Sequence, residues 1–350
     1  MSLEDVARRA KVSTATVSRV LNGVDVVKPN TRARVMKAVT ELKYHPNLHA
    51  RSLAGVRSKT LGVIVSNLEN PFFLDVYRSL ETDGHAHGYE VLVANTDYRA
   101  EQLVASIRLM IGRRVAGLAV IVSEMENVLV QELIGSGIPV VFYDVGPSMR
   151  NITNIRVNYK RGVERVVDYL TTLGHRKFAF VGHHSALGPI NERYRAVLDA
   201  IERLAPEAEI RESADSDSLE GGREAARRLL ASGYAPTAII CVNDLMAVGV
   251  LKQLRESGVR VPEDISVTGF DNITLSEFCH PALTTVHIPR DRIGHTLFSI
   301  LAPVETDKDL AGQEIVIDPE FVVRESTGPA KQQEPTLTTK RRESSVCPTA

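Results

Sequence analysis

Residues 2–21, SLEDVARRAKVSTATVSRVL, decide how the start of this chain folds. Leu3, Val6, Ala7 and Ala10 recur at spacings of three and four, which predicts a short helix with one apolar stripe. Ser2 stands three residues before Asp5, a capping-box start. A turn over residues 10–13 follows. Ser13 is then placed to cap a second helix, whose apolar face is Val17, Val20 and Leu21. Thr14, Ala15, Thr16, Ser18, Arg19 and Asn22 are left facing outward, all small or hydrogen-bonding apart from one arginine. A helix with a small, polar leading end enters the DNA major groove without steric conflict. The other reading of the same residues is an ordinary helical hairpin with a solvated face.

Charge placement separates the two readings. Residues 1–60 hold twelve Lys and Arg against four acids, a balance of +8, and the rest of the chain carries −9. The total of −1 therefore hides a basic head on an acidic body. That is the footprint of a phosphate-binding module joined to something else. The 350 residues allow two or three domains, and an apolar content of 43% suits packed cores. The sequence has no apolar run long enough to span a membrane. Glu4, Asp5, Arg8 and Arg9 interrupt what a signal peptide would need at the N-terminus. Cys241, Cys279 and Cys347 are odd in number and lack CxxC spacing, which points to a reducing compartment and away from structural zinc. The expected location is the cytoplasm.

A third helix is expected over Pro29–Lys43, with Val35, Ala38, Val39 and Leu42 on one face and Pro29 in its first turn. Three such helices make a compact head over residues 1–46. Residues 47–59 read as a linker in which Leu48–Ala54 adds one or two helical turns, capped by Asn47 and stopped at Gly55. So short a helix is not stable alone in water, so it forms only when something external holds it. From Leu61 the texture changes to alternating strand and helix. Eight strand-like runs are expected: Leu61–Val65, Glu90–Ala94, Gly117–Val122, Pro139–Tyr143, Lys177–Val181, Ala238–Val242, Ser266–Phe270 and Thr284–His287. Amphipathic helices separate most of them, which implies parallel sheets covered on both faces. Eight strands over residues 60–328 suit two doubly wound lobes. Residues 329–350, rich in Lys, Gln, Thr and Ser, read as a disordered tail.

The chain resembles the lactose/galactose-repressor (LacI/GalR) family of bacterial transcription regulators over about residues 2–328. The motifs that carry the resemblance are Asp5-Val6-Ala7, Val12 through Asn22, Thr31-Arg32, Tyr44-His45-Pro46-Asn47 and Ala50-Arg51-Ser52-Leu53. Further along come Asn70-Pro71-Phe72-Phe73, Leu173-Gly174-His175, Glu192-Arg193, Asn243-Asp244, Gly269-Phe270-Asp271 and Leu283-Thr284-Thr285-Val286. The resemblance implies an all-α helix-turn-helix head and an α/β body of periplasmic-binding-protein type. It implies that Thr14, Ala15 and Arg19 face base edges, and that Ser2, Ser13, Thr16, Ser18, Asn22 and Thr31 lie on phosphates. Asn47, Ala50 and Leu53 would belong to a hinge helix whose leucine wedges into the minor groove and kinks the duplex. Leu53 packing on the head is the alternative.

By the same resemblance, Asn70, Phe72, Phe73, Asp144, Arg193, Asn243 and Asp271 line an effector cleft between the lobes. Carboxylates and amides there would share hydroxyl hydrogen bonds, Arg193 would be a donor fork, and the phenylalanines would offer ring faces. Phe72 also reads as core, and Asp244 as a helix cap rather than a ligand. Five positions depart from the family pattern. Lys11 stands where the family usually has glycine, Lys28 where a serine caps the third helix, and Asp217 where several relatives place a stacking aromatic. Val145 replaces a common arginine and Asn158 a common aspartate.

Other chemistry has no anchor. His85/His87 and His183-His184 lack companions for a metal site. No phosphate loop, dinucleotide fingerprint or nucleophile motif occurs. The expectation is a repressor, not an enzyme, without cofactor or metal. It would bind a pseudopalindromic operator as a homodimer and respond to a small, carbohydrate-like effector that alters the angle between the lobes and so the hinge. An activator or dual regulator of the same family is the near alternative. A solute-binding protein without DNA function is the distant one.

Overall fold

The computed structural model describes residues 1–21, 26–44, 58–122, 125–144, 152–183, 188–302 and 312–331. Contacts divide the chain into two units, Met1–Ser58 and Lys59–Ala350. The first unit is built on α1 (Leu3–Ala10), α2 (Thr14–Leu21) and α3 (Pro29–Glu41). Ser2 caps α1 as expected: the Asp5 amide donates to Ser2 Oγ at 3.2 Å, and the Ser2 amide donates back to the Asp5 carboxylate at 2.9 Å. Val6, Val17 and Val35, one from each helix, are wholly buried, with Ala7, Ala10, Val20 and Ala38 filling around them. Such small side chains let three short helices approach closely. α3 stops two residues before Lys43. Residues 45–57, and with them Asn47, Ala50 and Leu53, lie outside the described residues, as does Asn22.

The second unit holds two parallel sheets. One is ordered β11-β5-β4-β3-β1-β2, from β1 (Thr60–Val65), β2 (Glu90–Asn95), β3 (Gly117–Ile121), β4 (Val140–Tyr143), β5 (Ile152–Val157) and β11 (Glu314–Ile317). The helices of this lobe are α4 (Pro71–Ala86), α5 (Ala100–Gly112), α6 (Asn127–Ser136) and the returning α12 (Arg290–Leu301). The other sheet is ordered β7-β6-β8-β9, from β6 (Lys177–His183), β7 (Glu209–Asp215), β8 (Ala238–Cys241) and β9 (Ser266–Thr268). It is covered by α7 (Tyr159–Thr172), α8 (Gly188–Leu204), α9 (Leu219–Ala231) and α10 (Asp244–Glu256), and the short α11 (Thr274–Phe278) follows β9. β10 (Thr285–His287) pairs antiparallel with β12 (Glu320–Val322) beside it. The chain thus passes between the lobes three times: before α7, before α12 and after β11. Asp318 joins two of these passages, accepting from Asn158 Nδ2 at 2.9 Å and pairing with Arg161.

Twelve strands occur among the described residues, against the eight expected. β5, β7, β11 and β12 were the ones not anticipated. β7 (EIRESAD) and β12 sit at sheet edges and carry polar or half-exposed side chains, so neither shows the apolar run of a buried parallel strand. β5 (ITNIRV) is almost wholly buried, yet Thr153 and Asn154 break its apolar run. Residues 329–331, expected to open the tail, are instead held against the body. The Ala330 amide donates to the Leu173 carbonyl, and Lys331 pairs with Asp264 at 2.9 Å; residues 332–350 lie outside the described residues.

Candidate functional site

On the head, α2 presents two opposite chemistries. Val17 and Val20 turn inward, while Ser13, Thr14, Ala15 and Arg19 are exposed and Thr16 and Ser18 are half-buried. Ser13 caps the helix: the Thr16 amide donates to its Oγ at 3.2 Å. Ser2 is exposed with its hydroxyl engaged in the α1 cap, and Thr31 is half-buried in the first turn of α3. The two lysine departures have structural counterparts. Lys11 ends α1 at φ 52, in the left-handed region where glycine is the easy occupant. Lys28 is the N-cap of α3, and its side chain makes no cap bond.

In the body, the groups gathered between the lobes come from the C-terminal ends of parallel strands and the helix starts that follow, where a doubly wound sheet leaves its crevice. They line a cavity with about 440 Å³ of empty space, part of it open to solvent. Asn70, Phe72, Phe73, Arg193, Asn243 and Asp271 all line it. Asn70 and Asn243 are also helix caps, accepting from the Phe72 amide at 3.0 Å and the Met246 amide at 2.9 Å. Phe72 is core and lining at once. It is 4% exposed and packs on Phe73 and Tyr143 with ring centroids 5.4 and 5.7 Å away.

Arg193 is the centre of the cavity's electrostatics. Its guanidinium lies between the rings of Tyr159 and Phe270, at 4.6 and 4.4 Å, and donates to the Val242 carbonyl at 2.7 Å. Nη2 lies 3.3 Å from Asp271 Oδ1, close enough to attract but not aligned as a hydrogen bond. Burial opposes the arginine's charge, yet Tyr159 and Asp271 beside it hold the guanidinium above its ordinary range. Burial pushes the Asp271 carboxyl up to about 6, with Arg193 and Arg290 restraining the rise. Arg193 Nε, Tyr143 OH and Asp271 Oδ1 are buried with no hydrogen-bond partner among the described residues. A donor, a hydroxyl and an acceptor are thus left unsatisfied in one small space.

Two expectations need correction. Asp144 does not line this cavity. It sits at φ 61 beyond β4, and both its oxygens are engaged at the first passage between lobes, accepting from the Val157 amide at 2.8 Å and the Tyr159 hydroxyl at 2.5 Å. Burial pushes its carboxyl up to about 7, while the Tyr159 and Val157 bonds pull the other way. Tyr159 occupies the cavity wall instead. Asp244 is not the cap of α10, because Asn243 is. Asp244 is wholly buried and accepts from Thr285 Oγ1 at 2.5 Å and the Ile273 amide at 2.8 Å, bracing the loop after β9.

Six lining residues were not anticipated: Tyr98, Ile121, Val122, Tyr143, Tyr159 and His183. Asp217, marked only as a departure, also proves central. Its carboxylate accepts from Asn243 Nδ2 at 2.6 Å and from the Tyr98 hydroxyl, and its carbonyl accepts from Asn67 Nδ2 at 3.0 Å. Burial, then the Asp217 carboxylate, push the Tyr98 phenol well above its ordinary range. Asp217 and Asn243 meet because α9 and α10 pack backbone against backbone. A Cβ at Gly222 would fall 2.1 Å from the Met246 carbonyl, and one at Gly249 2.0 Å from the Leu219 carbonyl. No helix among the described residues is long and apolar enough to cross a membrane.

Comparison with known proteins fits this architecture. Residues 2–47 match the bacterial regulatory proteins of the lacI family, and residues 167–327 match a periplasmic binding protein-like domain. The chain is 35% identical over 333 residues to the HTH-type transcriptional repressor PurR of Vibrio cholerae, covering 93% of this chain and 97% of that one. Among solved structures it resembles the lac repressor dimer bound to operator and the anti-inducer ONPF, with TM-score 0.79 and 27% identity over 94% of this chain and 99% of that one. A lacI-family regulator from Silicibacter pomeroyi gives TM-score 0.81 at 26% identity, over 94% and 99% of the two chains. The chain belongs to the LacI family of transcriptional regulators, DNA-binding repressors rather than enzymes.

Proposed function

We propose that this repressor binds a pseudopalindromic operator as a homodimer, with α2 in the major groove, and responds to a small hydroxyl-bearing effector held between its lobes. The observation that supports the DNA half most directly is α2 itself, which buries Val17 and Val20 while presenting Thr14, Ala15 and Arg19 to solvent. Arg19 is the long donor on that face. Paired to guanine O6 and N7 it would supply about 1–3 kcal/mol of base discrimination. Ala15 offers apolar contact to a thymine methyl, and the hydroxyls of Ser13, Thr16, Ser18 and Thr31 suit phosphates, which set register. Twofold symmetry puts two such helices on two half-sites. The operator-bound lac repressor dimer supports this reading by likeness.

For the effector, the support is the set of unsatisfied groups. Arg193 Nε donates, Asp271 Oδ1 accepts and Tyr143 OH can do either. A carbohydrate-like ring carries hydroxyls for these three and C–H faces for Phe72 and Phe73. Asp217 and Asp271 against Arg193 leave the cavity richer in carboxylate than in guanidinium, which disfavours phosphorylated ligands. Expected outcomes are direct. Selection from random duplexes enriches a palindrome, and Arg19→Ala weakens its binding by about 1–3 kcal/mol in a salt-titrated band shift. Failure to enrich any sequence overturns the DNA reading. In a thermal-shift panel, a pentose, hexose or polyol stabilises the chain more than its phosphate does. A preference for the phosphate overturns the effector reading.

A further inference from the structure

Asp217 sits just before α9 in the second lobe, and its partners reach it from the first. Asn67 follows β1 and Tyr98 follows β2, so both stand at strand C-termini on the far side of the cleft. Tyr98 Oη donates to the Asp217 carboxylate, and Asn67 Nδ2 donates to the Asp217 carbonyl at 3.0 Å. Both bonds therefore span the lobes. Behind them the anchorage is firm: Asp217 is 7% exposed, Asn243 donates to its other carboxylate oxygen, and Asn243 is itself held by the first turn of α10. On the opposite side, Asp97 and Tyr98 both lie in the left-handed region, at φ 54 and 56. Two adjacent non-glycine residues in that region are uncommon, and this backbone is what carries the phenol across.

The position of this contact gives it a consequence. Beside the cavity lies a recess, widely open to solvent, lined by Tyr98, His183, Ser216, Asp217 and Arg228 among others. The recess and the cavity share Tyr98, His183 and Asp217. The cross-lobe bonds thus stand where the two spaces meet. They are made wholly from the chain's own groups, so they need no effector to form.

We propose that Asp217 is a clasp: through Tyr98 and Asn67 it joins the lobes before any effector arrives, and an effector that uses the recess as its route enters by replacing the Tyr98 hydroxyl at that carboxylate with a donor of its own. Such a residue sets ligand specificity as well as closure, because a hydroxyl or ammonium can take the tyrosine's place and a phosphate or carboxylate cannot. This rests on the cleft being the effector site, but the clasp itself can be tested without an effector.

The test is hydrogen–deuterium exchange on the full-length chain with no small molecule added, comparing the parent with Tyr98→Phe, Asp217→Asn, Asn67→Ala and Tyr98→Phe/Asp217→Asn. Tyr98→Phe keeps the ring against His183 and removes only the hydroxyl. Exchange over 66–73 and 240–246 should accelerate about fivefold in Tyr98→Phe, the worth of one net hydrogen bond, and comparably over 240–246 in Asn67→Ala, which also frees the Glu69 amide in its own loop. The double variant should fall short of the sum of the two single variants, since both changes act on the Tyr98–Asp217 bond while only Asp217→Asn also touches the bond from Asn243. Exchange in Tyr98→Phe equal to the parent's overturns the clasp, and so does full additivity in the double variant. Selective DNA binding by the same preparations is scored separately. Its absence in the parent would sink the proposed function while leaving the exchange result to decide the clasp.

Discussion

The head and the cleft are stabilised by opposite means. The head buries almost nothing but valine and alanine, and its charges stay outside: Arg9 and Glu41 pair at 2.6 Å with side chains 58% and 35% exposed. The cleft buries its charges. Arg193 and Asp271 lie 3.3 Å apart with side chains only 10% and 4% exposed. Exposed pairs are screened and contribute little, whereas a buried charge deprived of its partner is costly. Similar interactions on paper should therefore respond very differently to deletion.

The largest expected effect breaks the buried pair. Arg193→Ala strips Asp271 and Tyr159 of their cation and should destabilise the body by about 3–5 kcal/mol in urea unfolding. Arg9→Ala should cost the head no more than about 1 kcal/mol. Equal losses would erase the contrast between the two regions.

Next comes pH. The folded-state pKa values of Asp144 and Asp271, about 7 and about 6, lie above the ordinary carboxylate range. Between about pH 4 and those values the folded body binds more protons than the unfolded chain, so each group makes stability fall as pH rises, by up to about 1.4 kcal/mol per unit, until the folded pKa is passed. Asp5 on the head is shifted down by its bonds from Ser2, so its contribution is lost as pH falls. In urea titrations between pH 5 and 8, Asp144→Asn should flatten the body's decline by about one proton's worth. An unchanged slope would show that Asp144 ionises normally.

The contrast also explains what could be read from the sequence. Periodicity reports apolar faces, and the head is made of little else, so Val6, Val17, Val20 and Val35 were legible at once. Six cavity residues were found through motif resemblance, not through any physical pattern in the string. Asp144 failed because a carboxylate's neighbours decide whether it faces a ligand or a backbone amide thirteen residues on. Tyr98 and Asp217 meet across 119 residues, a distance over which local pattern carries no information. The same limit hid β7, whose partner β6 supplies the apolar context that the strand itself lacks.

The smallest effect sharpens the head's side of the comparison. Lys28 offers no oxygen to the first turn of α3. Lys28→Ser should stabilise the head by about 1 kcal/mol, seen as a higher melting temperature for the head's own transition. No gain would mean that those amides are satisfied in some other way.

The junction at Asp318 has a mechanical meaning. One carboxylate ties Asn158 and Arg161 at the first crossing to the segment following β11, so two of the three connecting strands are linked side by side. Any rocking of one half of the body against the other would have to strain or break that link. Such a link is weak enough to give way, so it would bias the resting arrangement of the two halves without holding them fixed.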